Sequence, residues 1–209
     1  MRILGLDPGS LTTGYGLIAA EPGRLCWRAS GLIRPPRGEA LAARLQALHQ
    51  GLTAVLQAQR PDVVALEDSF VGRHARTALV LGHARGALIV AALAAGVPVV
   101  EYAPRLVKLA VTGAGGARKE QVLHMVGRLL EGAPEGLSHD ETDALAVAIC
   151  HAHRSQPQAG ALLAGAGRGG GASRGRRSAG GARAQAGAGS GAPDSRRAVR
   201  GWPGAGGWR

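Results

Sequence analysis

Residues 2–9 read RILGLDPG, a short apolar run stopped by Asp7, Pro8 and Gly9. A run of this length bounded by turn residues predicts a buried strand that ends at Asp7. GYGLIAA (14–20) and LCWRASGLI (25–33) follow after short Gly and Pro breaks, the spacing of an antiparallel meander. Leu41, Leu45, Leu48, Leu52 and Val55 then recur at helical spacing until Arg60-Pro61. DVVALED (62–68) is a second buried strand finishing in acids, an Ala-rich helix covers about 75–95, and VPVVEY (97–102) is a third buried strand. Helices are predicted over 104–111, 118–131 and 139–152. Helical crossovers imply parallel pairing, so the first, fourth and fifth strands form the parallel part of a mixed, five-stranded α/β sheet flanked by helices. Ligands of such sheets sit outside the carboxyl ends of the strands, where Asp7 and Glu67 fall.

The chain has 209 residues and a net charge of +11, but its character changes near residue 155. From Ser155 to Arg209 there are nine Arg against the single Asp194, and 16 of the chain's 34 glycines. This stretch carries +8 of the +11, which leaves +3 for residues 1–154. With little apolar surface to offset its ordering entropy, 155–209 is predicted to be a disordered basic tail that attracts polyanions. Residues 1–154 suit one domain. Cys26 and Cys150 make neither a disulfide framework nor a CxxC metal site. The N-terminus meets an acid at residue 7 and shows no signal-peptide pattern, and the charge-free run 87–100 is short for a bilayer and holds Gly96 and Pro98. The expectation is a cytoplasmic protein without a membrane partner.

SHDETDALA (138–146) packs three acids into four positions before an apolar run. Ser138 and Glu141 fit a capping box, and acids in a first helical turn are favoured by the helix dipole. Asp140 and Asp143, three apart, share a helix face from which Glu141 is rotated away. Strand alternation sends Glu67 and Asp68 to opposite sides of the sheet, so only one can join Asp7. If Asp7, Glu67, Asp140 and Asp143 meet, their repulsion has to be offset by protons or cations. Oxygen-only ligands suit Mg²⁺ or Mn²⁺, and such a set can hold two ions for in-line attack on a phosphodiester.

LGLDPGS with TGYG, LED at a strand end, YAPRLVKLAVTG, and DETDALAVAI together resemble the RuvC family of Holliday junction resolvases, over about residues 1–153. The resemblance implies an RNase H-like fold, a homodimer, Mg²⁺ dependence, and paired nicking of four-way DNA junctions in recombination and repair. It also implies cooperation with the RuvA and RuvB branch-migration proteins. The family's metal-binding acids would fall on Asp7, Glu67, Asp140 and Asp143. The tail lies outside the resemblance, and Asp68 is read as facing away from the metals.

Lys108 and Lys119 are the only lysines among 25 basic residues, which suggests a compact ammonium against a phosphate, and both stand where the family carries phosphate-binding lysines. Ordinary solvated helix lysines would read the same way. Phe70, the only Phe, sits in SFVGRH near Arg73 and Arg76; a lone Phe is commonly core, but this position suits stacking on an unpaired base, and the family uses an aromatic there. Arg118 adds a candidate phosphate contact. Ala78, Gly82 and Gly86, four apart, make a smooth helix face for a dimer partner or for the domain's own sheet. His151 and His153, two apart on a helix, do not share a face, and His139 reads first as a loop residue. LGLDPGSLTTGYG also resembles the first phosphate-binding loop of actin-like and sugar-kinase ATPases, but no second Asp-Gly-rich phosphate loop follows a later strand and 154 residues are too few for their duplicated domain. RNase H proper, with a similar acid set, and a non-catalytic DNA-binding module acting through the basic tail also fit parts of the sequence.

Overall fold

The apolar run that opens the chain is buried on both faces of a sheet, as its lack of alternation requires. The computed structural model describes residues 1–68 and 75–155, so the tail from 156 onward and the loop holding Phe70 and Arg73 lie outside the described residues. The elements run β1 (Arg2–Asp7), β2 (Thr13–Glu21), β3 (Arg24–Ile33), α1 (Leu41–Gln59), β4 (Val63–Glu67), α2 (Ala75–Ala94) and β5 (Val99–Tyr102). They continue with α3 (Pro104–Thr112), α4 (Lys119–Leu129), β6 (Leu130–Glu131) and α5 (His139–Ser155). The sheet order is β5-β4-β1-β2-β3-β6. β1 to β3 form the expected antiparallel meander, and β1, β4 and β5 are parallel.

The sheet has six strands rather than five. The helix predicted over 118–131 stops at Leu129, because Leu130 turns extended (φ −103°, ψ 115°) and is buried, while Leu130 and Glu131 pair in parallel with Leu25 and Cys26 of β3. Two residues are too few to show a strand period, whereas the apolar spacing of the preceding helix runs smoothly into them.

Each side of the sheet has its own core. Leu4, Leu6, Leu17, Val64 and Leu66 meet Leu48, Leu52 and Leu56 of α1 and Leu88 of α2. Ile3, Ile18, Val63 and Ala65 meet Val107 of α3, Val122 of α4 and the buried face of α5. α1 ends where Arg60 takes a left-handed conformation (φ 44°) before Pro61, and α3 begins on Pro104 and ends on Gly113 (φ 76°). α2 is, among the described residues, the one helix long and apolar enough to cross a bilayer; it packs on the sheet through Ala84, Leu88, Ala91 and Ala92, and only 22% of its most apolar window is buried.

Along α5 the packing is closest over a row of glycines. A methyl group on Gly5 would collide with the Ala144 carbonyl, one on Gly14 with the Asp140 carbonyl, and one on Gly16 would stand 2.5 Å from Leu145 Cδ2. Gly5 pairs with Gly16 and Asp7 pairs with Gly14, so the row lies beside the end of β1. Only residues without Cβ allow α5 to rest there.

Gly5→Ala is expected to lower unfolding free energy by about 3 kcal/mol in urea denaturation, at the upper part of the overpacking range because its neighbours are backbone atoms. Gly127→Ala, in α4 where an added methyl meets nothing within 4 Å, is expected to raise stability by roughly 0.5 to 1 kcal/mol. Equal effects at the two positions would contradict the seat.

Candidate active site

Three of the four predicted acids line one cavity. Asp7 ends β1, Glu67 ends the neighbouring parallel strand β4, and Asp143 lies in the first turns of α5. Alternation along β4 puts Val63, Ala65 and Glu67 on the α5 side, so Glu67 points where Asp7 points. The cavity, about 280 Å³, is completed by Pro104, Val107 and Lys108 of α3, Lys119 and Val122 of α4, and Ala146 of α5. Asp140 does not line it, but its carboxylate is near enough to act on Asp7 electrostatically.

Burial pushes the Asp7 carboxyl from an ordinary 3.8 up to about 7, and the negative charges of Glu67, Asp143 and Asp140 add to the rise against the opposing ammonium of Lys119. Glu67 is also raised, first by burial and then by Asp143, with Lys108 and Lys119 acting the other way. Lys119 Nζ stands 3.7 Å from Asp143 Oδ2. Among the described residues no three His, Cys, Asp or Glu side chains form a ready-made metal cage. The donor set nevertheless fits a hard divalent cation: every donor is a carboxylate oxygen, and the burial and repulsion that lift Asp7 are relieved by positive charge.

Asp68 takes the opposite side of the sheet, as expected, and pairs with Arg85 of α2. The same guanidinium reaches Glu101 of β5 at 2.6 Å, so one arginine binds the ends of two strands to α2. Beyond Asp7, the DPGSLT loop is held by Thr13, whose buried hydroxyl donates to the Gly9 carbonyl at 2.9 Å and accepts from the Gly9 N–H at 3.3 Å.

The capping box forms at the start of α5. Glu141 accepts from the Ser138 N–H (3.1 Å) and hydroxyl (2.7 Å) and donates its own N–H to Ser138 Oγ (3.3 Å). Glu141 is partly buried, which opposes ionisation, yet these bonds, a further one from Ser30 and the charge of Arg34 hold its carboxyl below the usual range. Sequence reasoning missed Ser30, because nothing local marks a strand serine that reaches a helix 111 residues later.

The remaining candidates divide. Lys108 and Lys119 face the cavity. Arg118 is exposed at the N-cap of α4, where its N–H donates to Gln121 Oε1 at 2.8 Å. Arg76 is exposed in the first turn of α2, in the layer opposite α5, and does not line the cavity. His139 is the exposed first residue of α5 rather than part of a loop. His151 and His153 serve packing, bonding Tyr102 Oη (2.8 Å) and the Ala110 carbonyl (3.0 Å) respectively. An added methyl on Gly82 or Gly86 meets nothing within 4 Å, so packing on the domain's own sheet does not account for those glycines.

The family model described as "Crossover junction endodeoxyribonuclease RuvC" matches residues 3–151. A Chlorobaculum parvum protein of that name is 52% identical over 156 residues, spanning 74% of this chain and 82% of the relative. One from Rhodospirillum rubrum is 48% identical over 171 residues, spanning 82% and 99%. The solved structure "T. thermophilus RuvC in complex with Holliday junction substrate" matches with a TM-score of 0.68 at 35% identity, over 73% of this chain and 93% of that one.

The raised Asp7 carboxyl makes a prediction about stability. Its neutral form is favoured by folding, so its contribution is fully present below about pH 4 and is lost as pH rises through about 7. In chelator at pH 8, Asp7→Asn is expected to melt several degrees above the wild type, with the gap closing towards pH 4 in calorimetry. A variant that melts at or below the wild type at pH 8 contradicts the charge cluster.

Proposed function

This chain belongs to the RuvC family of crossover junction endodeoxyribonucleases, and from that membership we propose that it resolves four-way (Holliday) DNA junctions by paired, symmetric nicks in recombination and repair. The fold is the RNase H-like one, and the chain spans most of each relative, so the family's activity applies to the whole described domain. The observation that carries the chemistry is the cavity in which carboxylates from β1, β4 and α5 meet two lysines from α3 and α4.

Asp7, Glu67, Asp140 and Asp143 are the catalytic, metal-binding acids in this reading. When bound, divalent cations offset charge at the attacking and leaving oxygens and make water a better nucleophile, two ions per site being suited to phosphodiester hydrolysis. Mg²⁺ is the ion we assign, with Mn²⁺ able to replace it through the same coordination chemistry. The chain's own part is to fix the carboxylates on rigid elements, to exclude water with Val107, Val122 and Ala146, and to hold the strand to be cut. Lys108 and Lys119 supply the positive charge that draws a DNA phosphate towards acids which would otherwise repel it. Arg118 and Arg76 add phosphate contacts further out. Phe70 and Arg73 are assigned to an unpaired base and its backbone on sequence position. The Arg-rich segment 155–209 adds salt-sensitive, sequence-independent contacts.

A junction with two equivalent strands to cut calls for a two-fold dimer. Leu79, Gly82, Gly86, Val90 and Leu93 recur at helical spacing along α2; Leu79, Val90 and Leu93 are each more than half exposed, and the glycines are open to close approach. This stripe is the dimer face. Cooperation with RuvA and RuvB, and a cytoplasmic location, follow from the family reading.

Purified protein with Mg²⁺ is expected to nick a synthetic four-way junction at two-fold-related positions and to leave a linear duplex, an RNA/DNA hybrid and ATP uncut. Asp7→Asn should abolish the nicks, and truncation after Ser155 should weaken salt-sensitive binding while sparing cleavage. Preference for the hybrid, or junction binding without cleavage by the wild type, would sink the assignment. For the dimer, Leu79→Glu with Val90→Glu is expected to give a monomer by light scattering; a variant that stays dimeric moves the interface away from α2.

A further inference from the structure

The first turn of α5 is tied to the sheet on the side away from the acids. Ser30 of β3 is paired with Gly16, whose face looks at α5, so the Ser30 side chain leaves the sheet beneath the helix. Its hydroxyl donates to Glu141 Oε1 at 2.9 Å, while Glu141 Oε2 is taken by the N–H and hydroxyl of Ser138. Both carboxylate oxygens are therefore occupied, one within the helix and one across to a different element. Helix capping accounts for Ser138, and it gives no reason for Ser30.

The placement of this bond matters because the load on α5 is one-sided. Asp143 shares the cavity with Asp7 and Glu67, and Asp140 lies near enough to repel Asp7, so like charges push the first turn of α5 away from β1 and β4. β2 separates β1 from β3, and the helix crosses β2 on glycines that offer no side chain to grip it. A bond from Glu141 to β3 resists rotation and lift of the turn that bears the acids.

We propose that Glu141, held by Ser30, is a positioning residue that fixes the first turn of α5 so that Asp140 and Asp143 are presented to the cation site before any cation binds. The proposal rests on the reading of those acids as metal ligands. A preorganised site binds its ion more tightly than one that the ion must assemble, so the tether acts on metal affinity and leaves DNA affinity alone.

The test uses the full chain, with Mn²⁺ binding followed by isothermal titration and junction cleavage measured across a metal series. Ser30→Ala is expected to weaken Mn²⁺ binding by roughly three- to tenfold, a part of the worth of one hydrogen bond to a charged group, because the tether acts on the ion only through the turn it holds. Its kcat should fall at limiting metal and recover at saturating metal with KM for the junction unchanged. Ser30→Thr, which keeps the hydroxyl, should restore wild-type affinity. A Ser30→Ala protein that loses thermal stability yet binds Mn²⁺ as the wild type does overturns the proposal, since the bond is then only structural. Asp143→Asn serves as the separate control: if it leaves Mn²⁺ affinity unchanged, the metal reading of the acids fails, whereas its loss of affinity beside an unaffected Ser30→Ala removes the tether alone.

Discussion

The close contact between α5 and the glycine row of β1 and β2 is the constraint on which the rest of the site depends. A helix held off the sheet by ordinary side chains would carry Asp140 and Asp143 away from Asp7. Here Gly14 lies under the backbone of Asp140 and is the cross-strand partner of Asp7, so one small residue brings two acids from distant parts of the chain together. The remainder of α5 is sealed by an almost continuous buried run from Ala144 to Ala152, which supplies the apolar burial that holds it down.

That closeness has an electrostatic cost, legible in the Asp7 carboxyl raised to about 7. Like charges gathered in a half-buried cavity weaken the protein unless something positive is present, and the two lysines offset only part of the excess. A site of this kind is stabilised by its ligand, and strain of this sort is characteristic of functional positions. The surrounding structure resists it by several means: strand pairing fixes Asp7 and Glu67, the Arg85 pairs bind Asp68 and Glu101 to α2, and the Ser138, Glu141 and Ser30 bonds hold the first turn of α5.

The two faces of the sheet carry separate tasks. Glu67 and Asp68 are neighbours in the chain, yet alternation gives one to the cavity and the other to an arginine on the opposite layer. The α5 side holds the acids and the lysines. α1 and α2 cover the other side, and α2 turns an apolar, glycine-bearing stripe outward. The cavity at the strand ends and this exposed stripe therefore lie on opposite layers of the sheet.

Much was legible in the sequence, and for identifiable reasons. Apolar runs bounded by turn residues located β1 to β5, helical spacing and Ala-rich composition located α1 and α2, and the order of elements gave the parallel and antiparallel parts of the sheet. Spacing separated Glu141 from Asp140 and Asp143, and alternation separated Glu67 from Asp68. The exceptions are the features that depend on a distant part of the chain. β6 exists because β3 offers an edge to Leu130 and Glu131, the glycines at 5, 14 and 16 matter because α5 lies on them, and Ser30 matters because Glu141 comes within 2.9 Å of it. None of these has a local signature, since a two-residue strand has no period and a glycine or serine in a strand looks the same whether or not a helix rests on it. The residue types able to bind a cation were determined by sequence alone; how closely they meet was decided only by tertiary packing, because distance between remote residues is set by the side chains, or their absence, that lie between the elements carrying them.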